Sequence, residues 1–181
     1  MYWFKLRVWV AALMLIAYWS ACKPDSKEAG TGLKYFNVKE YFTANAARLQ
    51  KLNKPVLKTV THNGVTETKT VKIENWGQEL DLFIGADINK PAWKNSYTVI
   101  DNNDGLLYKA KDPELKVREI LIKKEGQKIK WILIFTHTKN ILYQTTEKLS
   151  YYPDSLYIIE KGQTVKLMGS NHYIIKGVIA N

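Results

Sequence analysis

The sequence predicts an α+β fold in which N-terminal amphipathic helices pack on a curved antiparallel β-meander of about 7–10 strands. In residues 37–53, apolar side chains recur every three to four positions, as on one face of a helix. The pair Asn63-Gly64 separates two runs of β-branched residues and is typical of a tight hairpin. From Tyr97 onward, strand-forming runs are separated by joints too short for a crossover helix, which favours antiparallel neighbours.

Two helices are predicted before the main run of strands. The first covers residues 37–53, because the Asn37 side chain can accept a hydrogen bond from a free backbone amide and begin the helix. Pro55 prevents the helix from continuing. The second begins after Asn75, which repeats the cap pattern, and ends before Pro91.

The Asn-Gly hairpin is predicted to have arms at residues 56–61 and 65–73. Further strands are predicted at 97–101, 106–111, 115–123, 128–138, 141–150, 155–161, 163–168 and 172–179. Turn-forming residues lie at the joints, among them Gly162, which we expect to separate two strands.

The strand at 128–138 is apolar on both faces. Trp131, Leu133 and Phe135 alternate with Ile132 and Ile134. We therefore expect this strand to be covered on both sides, by the helices on one face and by a folded-over sheet on the other.

The first 21 residues have the pattern of a bacterial lipoprotein signal peptide. Lys5 and Arg7 form a basic region, Val8–Ala17 is almost wholly apolar, and two small residues precede Cys22. We expect cleavage before Cys22 and acylation of its thiol. Residues 22–33 are then the lipidated cysteine and a flexible tether, rich in charge, Pro and Gly. Residues 34–181 form a single α+β domain of ordinary size.

Two other readings of this segment remain open. Trp19 stands where a lipobox usually has Leu, so an uncleaved membrane anchor and a soluble secreted protein are both alternatives. The anchor fits less well, because the apolar run from Val8 to Ala21 is shorter than the roughly 20 residues that span a bilayer.

Charge and cysteine content limit the classes of function. The net charge of +10 falls by two when the segment with Lys5 and Arg7 is removed, so the surface stays basic. Cys22 is the only cysteine of the sequence. Acylation of its thiol excludes an internal disulfide, a cysteine nucleophile and a zinc-cysteine site.

The sequence contains no recognisable catalytic constellation. It lacks the Gly-x-Ser-x-Gly elbow, the phosphate-binding loop and the dinucleotide fingerprint. His62, His137 and His172 do not have a metal-ligand spacing. We therefore predict no catalytic residue, metal or cofactor, and keep an envelope hydrolase with an unrecognised site as an alternative.

A basic hairpin is the clearest candidate for binding. Lys123, Lys124, Lys128 and Lys130 surround the turn at 125–127. Four ammonium groups at one turn could bind lipid phosphates or another anionic surface. The alternative is that these lysines keep a strand edge from pairing with other chains. Nucleic acid is not an expected partner, because the envelope contains little of it.

The start Ser20-Ala21-Cys22-Lys23, the polar tether and the body rich in Tyr, Asn and Lys resemble the small outer-membrane lipoproteins of the Bacteroidota. This resemblance implies export and attachment to the outer membrane through a lipid on Cys22, with the body facing the periplasm. In this group, acidic residues after the acylated cysteine accompany display of some lipoproteins at the cell surface. Lysines interrupt the acidic residues of 23–28, which argues against surface display here and leaves it as the alternative.

The leading functional hypothesis is a non-enzymatic cell-envelope lipoprotein that binds an envelope protein or an anionic lipid. A curved sheet with helices against it also resembles lipoprotein-carrier folds. That resemblance implies an alternative role as a lipid or lipoprotein carrier with an apolar hollow between helix and sheet. A hollow above about 300 Å³ would favour the carrier, and a filled core would favour a binding role.

The lipid anchor gives a direct prediction. Cells that express the chain and are fed a clickable fatty acid should label the wild type and not Cys22→Ala. The variant should also leave the membrane fraction, because each buried methylene contributes about 0.8 kcal/mol to anchoring. Unlabelled protein with unchanged membrane fractionation would contradict lipidation and favour the uncleaved anchor.

Overall fold

The computed structural model describes residues 33–102 and 105–180. The predicted signal peptide, Cys22 and most of the tether lie outside the described residues. The helices are α1 (Val38–Leu52), α2 (Trp76–Glu79) and α3 (Asp81–Ile84), with a 3-10 turn at Pro91–Trp93. The strands are β1 (Pro55–His62), β2 (Val65–Lys72), β3 (Tyr97–Asn102), β4 (Gly105–Ala110), β5 (Val117–Glu125), β6 (Lys128–Lys139), β7 (Tyr143–Tyr152), β8 (Leu156–Val165) and β9 (Gly169–Ile179).

The strands form one open, nine-stranded antiparallel sheet in the order β2-β1-β9-β8-β7-β6-β5-β4-β3. The predicted antiparallel sheet is therefore confirmed. Strands β3 to β9 are a meander, and the β1–β2 hairpin joins it through pairing of β1 with β9. The chain must then return from one edge of the sheet to the other, because β2 and β3 are the two edge strands. Residues 73–96 make this return and carry α2 and α3.

Helix α1 begins and ends as its local sequence dictates. The Asn37 side chain accepts a hydrogen bond from the Glu40 amide at 3.0 Å, and its Nδ2 donates to the Glu40 carboxylate at 2.7 Å. Asn53 closes the helix with a left-handed backbone, and its amide donates to the Leu49 carbonyl. The second predicted helix is instead two short helices that meet at Leu80.

The expected break at Gly162 was wrong. Strand β8 runs without interruption through this residue, and Gly162 pairs with Thr146 on one side and His172 on the other. A Cβ at position 162 would lie 3.2 Å from the Thr146 Oγ1 atom. The lack of a side chain at Gly162 therefore leaves room for the Thr146 side chain to pack closely. The turn occurs later, at residues 166–168.

Aromatic rings fill the space between the helices and one face of the sheet. The Phe42 ring of α1 lies 5.0 Å from the Tyr151 ring of β7 and 4.9 Å from the Phe83 ring of α3. The Trp76 ring of α2 packs edge-on against the Tyr157 ring of β8. All five side chains are buried. The helix-facing side of the sheet is thus a filled aromatic core.

The opposite face of the sheet, here called the outer face, is covered less. Ile132 and Ile134 of β6 are buried on the helix-facing side, whereas Trp131, Leu133 and Phe135 on the outer face are half-buried. These side chains are shielded mainly by their neighbours within the sheet. The expectation that both faces of this strand are covered therefore held only for the helix-facing side. Among the described residues, no helix has the length and apolarity needed to cross a bilayer.

The difference between the two faces predicts unequal costs of truncation. Phe42→Ala should lower the free energy of unfolding by about 3–5 kcal/mol, because it leaves a cavity among packed rings. Trp131→Ala should cost about half as much or less, because the outer face can relax into solvent. Chemical denaturation of both variants measures the two values. Equal losses would mean that the outer face is covered.

Candidate functional site

An apolar groove of about 270 Å³ lies on the outer face across strands β3 to β6. Its floor is a row of directly paired residues, Ile100, Leu107 and Leu121. Because side chains alternate between the two faces of a strand, these residues point to the same side as Trp131, which also lines the groove. Ile100 remains 51% exposed, so the groove is open to solvent.

One residue of the groove lining, Gly105, contributes no side chain. In the sheet, Gly105 pairs with Asn102 on one side and with Lys123 on the other, and Lys123 pairs with Trp131. A Cβ at position 105 would lie 2.1 Å from the Ile122 carbonyl oxygen. Only glycine fits this close approach of β4 to β5, which lies at the groove lining.

The four lysines singled out in the sequence all lie on the β5–β6 hairpin, next to this groove. Lys123 lines the groove itself. Lys124 pairs with Ile129, and Lys128 pairs with Glu125 across the turn. The Lys130 ammonium group lies 2.7 Å from the Glu125 carboxylate, so these two charges pair at the surface. The site therefore joins an apolar floor to a rim with excess positive charge.

A second groove, of about 280 Å³, lies on the outer face toward the opposite end of the sheet. Its lining is polar and includes Thr146, Thr164, Ser170 and His172 around Gly162. Thr164 and Ser170 hydrogen-bond to each other at 2.9 Å. Among the described residues, the His172 ring forms no hydrogen bond with either hydroxyl, so these groups are not arranged as a nucleophile and its base.

The three histidines are not brought together. His137 and His172 lie on one row of the outer face with Thr146 and Gly162 between them, about 14 Å apart at ordinary strand spacing. His62 stacks on the Tyr173 ring with the ring centres 4.3 Å apart. Within the described ranges, no three His, Cys, Asp or Glu side chains form a group that could hold a metal ion.

One polar cluster, on the helix-facing side of the sheet, was not predicted from the sequence. The Tyr157 hydroxyl donates to the Glu79 carboxylate at 2.5 Å, and the Lys58 ammonium group binds the same carboxylate at 2.7 Å. Gly177 makes the cluster possible, since a Cβ there would lie 2.2 Å from the Tyr157 ring. These residues are far apart in the chain, so no local motif could have revealed them.

This cluster ties α2 to the sheet. The carboxylate of Glu79 is occupied by Lys58 and Tyr157, so it is already neutralised and hydrogen-bonded. Burial, together with the hydrogen bond to Glu79 and its negative charge, raises the pKa of Tyr157 above the usual value of a phenol. Burial likewise raises the pKa of Tyr97, to about 12.

No protein-family model, curated protein or solved structure matches this chain.

The raised pKa of Tyr157 predicts alkaline destabilisation. Below the unfolded pKa of about 10 the phenol is neutral in both states, and above it the unfolded state alone loses the proton. The free energy of unfolding should therefore fall as the pH rises, by up to about 1.4 kcal/mol per pH unit for each such tyrosine. Tyr157→Phe should reduce that slope when denaturation is followed from about pH 9 to about pH 11. Equal slopes for the variant and the wild type would contradict the shift.

Proposed function

We propose that this chain is a non-enzymatic lipoprotein of the cell envelope, held at the outer membrane through Cys22, that binds a partner on the outer face of its sheet. The observation that carries the proposal is the apolar groove at Trp131 with the lysine hairpin at its rim. Such a surface suits a ligand in which an apolar group is joined to an anionic group.

The size of the groove narrows the class of ligand. Pockets that enclose a whole small molecule have volumes of about 300–1,000 Å³. A groove of about 270 Å³ that is open to solvent fits only the apolar part of a larger ligand. Two ligands of this chemistry are an acidic segment of an envelope protein with one large apolar side chain, and the end of the acyl chain of an anionic lipid.

The carrier and hydrolase alternatives receive less support. A carrier needs a hollow between helices and sheet, where the rings of Phe42, Phe83 and Tyr151 pack against one another. The linings of the two grooves described above come from the sheet and its turns. A hydrolase needs a base that activates a nucleophile. The Glu79 carboxylate is engaged by Lys58 and Tyr157, and in the polar groove the Thr164 and Ser170 hydroxyls bond to each other and not to the His172 ring.

Octanoate is a suitable probe, because it carries one carboxylate on a short apolar chain. Fluorine NMR of the full chain, made with fluorotryptophan and held in neutral-lipid nanodiscs, reports on the groove through the Trp131 resonance. We expect octanoate to shift this resonance and to leave that of the buried Trp76 unchanged. Reversing Lys123, Lys124, Lys128 and Lys130 to Glu should raise the octanoate concentration needed by at least about tenfold, because each lysine near an anion contributes roughly 1 kcal/mol.

A matched control reverses two other exposed lysines, Lys39 and Lys51, which lie on α1. This variant should respond to octanoate like the wild type. A Trp131 resonance that ignores octanoate would overturn the groove as a binding site. A response of equal strength in the hairpin variant would mean that the four lysines only protect the strand edge.

A further inference from the structure

Two neighbouring hairpins end in apolar tips at the end of the sheet opposite the lysine hairpin. The tips, here called the apolar tips, are residues 140–142 between β6 and β7 and residues 166–168 between β8 and β9. The strands β7 and β8 pair up to Tyr143 and Val165, which places the two tips side by side. The Lys166 amide donates to the Leu142 carbonyl at 2.9 Å and joins them directly.

The apolar tips expose four large side chains to solvent. Ile141 is 86% exposed, Leu142 67%, Leu167 100% and Met168 81%. Single exposed apolar residues are ordinary on protein surfaces. Here, four of them occupy two hairpins that are bonded to each other, which is typical of a surface that is covered in use.

Leu167 stands in a backbone position that suits another residue type. Its φ is +74°, in the left-handed region that glycine or asparagine adopts with the least strain. The side chain makes no contribution to the core, because it is fully exposed. Folding alone therefore does not account for a leucine at this turn, and a ligand for the side chain does.

The charge around the apolar tips indicates what covers them. Lys139 directly precedes the first tip and Lys166 begins the second, and both side chains are exposed. Segments 139–146 and 161–176 contain no Asp or Glu. Among the described residues, neither Lys139 nor Lys166 forms an ion pair. Exposed apolar side chains next to lysines, in segments without acidic residues, match the interface of an anionic bilayer. There the apolar side chains enter the boundary of the acyl region and the ammonium groups stay at the lipid phosphates.

The path of the chain is consistent with a bilayer at this end. Tyr35, near the start of the described residues, packs against Tyr97 and Tyr108. Tyr97 begins β3, and β3 begins at the same end of the antiparallel sheet at which β6 ends and β7 begins. The chain thus enters the folded body from the end that carries the apolar tips. The link between this end of the sheet and a bilayer rests on the proposed lipid anchor at Cys22. The exposure and the charge of the tips do not depend on that anchor.

We propose that the apolar tips insert into the headgroup region of an anionic phospholipid bilayer. Inserted tips orient the sheet with the β5–β6 hairpin and the Trp131 groove directed away from the membrane, because the β5–β6 turn lies at the other end of the strands. The body then stands on the membrane with its binding surface facing a partner in solution.

The test uses the full chain with Cys22→Ser, reconstituted into vesicles of phosphatidylcholine and phosphatidylglycerol. A single nitrobenzoxadiazole label is attached through Met168→Cys at the tip or through Ser155→Cys at the exposed β7–β8 turn of the opposite end. We expect the Met168→Cys label to emit at shorter wavelength and to be quenched by nitroxides on the acyl chains. The Ser155→Cys label should remain at its aqueous wavelength and escape quenching.

A second variant separates membrane contact from folding. Leu167→Gly, added to the Met168→Cys chain, should reduce the nitroxide quenching, while the thermal midpoint stays equal or rises because glycine suits the backbone at this position. Leu57→Ser, which removes an exposed apolar side chain of β1 outside both grooves and both tips, should leave the quenching unchanged.

Three outcomes would overturn the proposal. The first is an aqueous signal from the Met168→Cys label in anionic vesicles. The second is equal quenching at both labels, which would mean that the whole body is embedded or aggregated. The third is a shift to shorter wavelength that needs no lipid and grows with protein concentration, which would assign the tips to a second copy of the chain. All of these outcomes are independent of the response of Trp131 to octanoate.

Discussion

The packing of Phe42 against Tyr151 and Phe83 is the contact on which the rest of the structure depends. It fixes α1 and α3 to one side of the sheet and buries the apolar side chains of that side. Among the described residues, the three helices are too few to cover both faces of nine strands. The outer face, which is also rich in apolar side chains, is therefore left half-buried, and the groove at Trp131 lies there.

The meander topology of the sheet separates the two surfaces to which we assign binding. Successive turns of a meander alternate between the two ends of the sheet. The β5–β6 turn, with its four lysines, therefore lies at one end, and the β6–β7 and β8–β9 turns, with the apolar tips, lie at the other. A membrane at one end and a partner at the other are compatible, because neither surface overlaps the other.

Several parts of the fold could be predicted from local sequence. Asn37 and Asn75 act as helix caps, because their side chains reach amides three residues ahead. Asn63 and Gly64 turn the first hairpin with left-handed backbones, as an Asn-Gly pair favours. Gly162 misled the strand prediction, because a glycine inside a strand and a glycine in a turn look alike when the neighbouring strand is unknown.

The sequence by itself determined the antiparallel meander and the lysine hairpin, because short joints and period-two alternation are local properties. Alternation shows that a strand has two faces, but it does not show which face the helices cover, so the half-burial of Trp131 was decided by tertiary packing. The close approach of β5 to Gly105 and the Lys58–Glu79–Tyr157 cluster also required the fold, since each depends on atoms from strands or helices distant in sequence. The apolar tips became one surface only when pairing of β7 with β8 brought Leu142 beside Lys166.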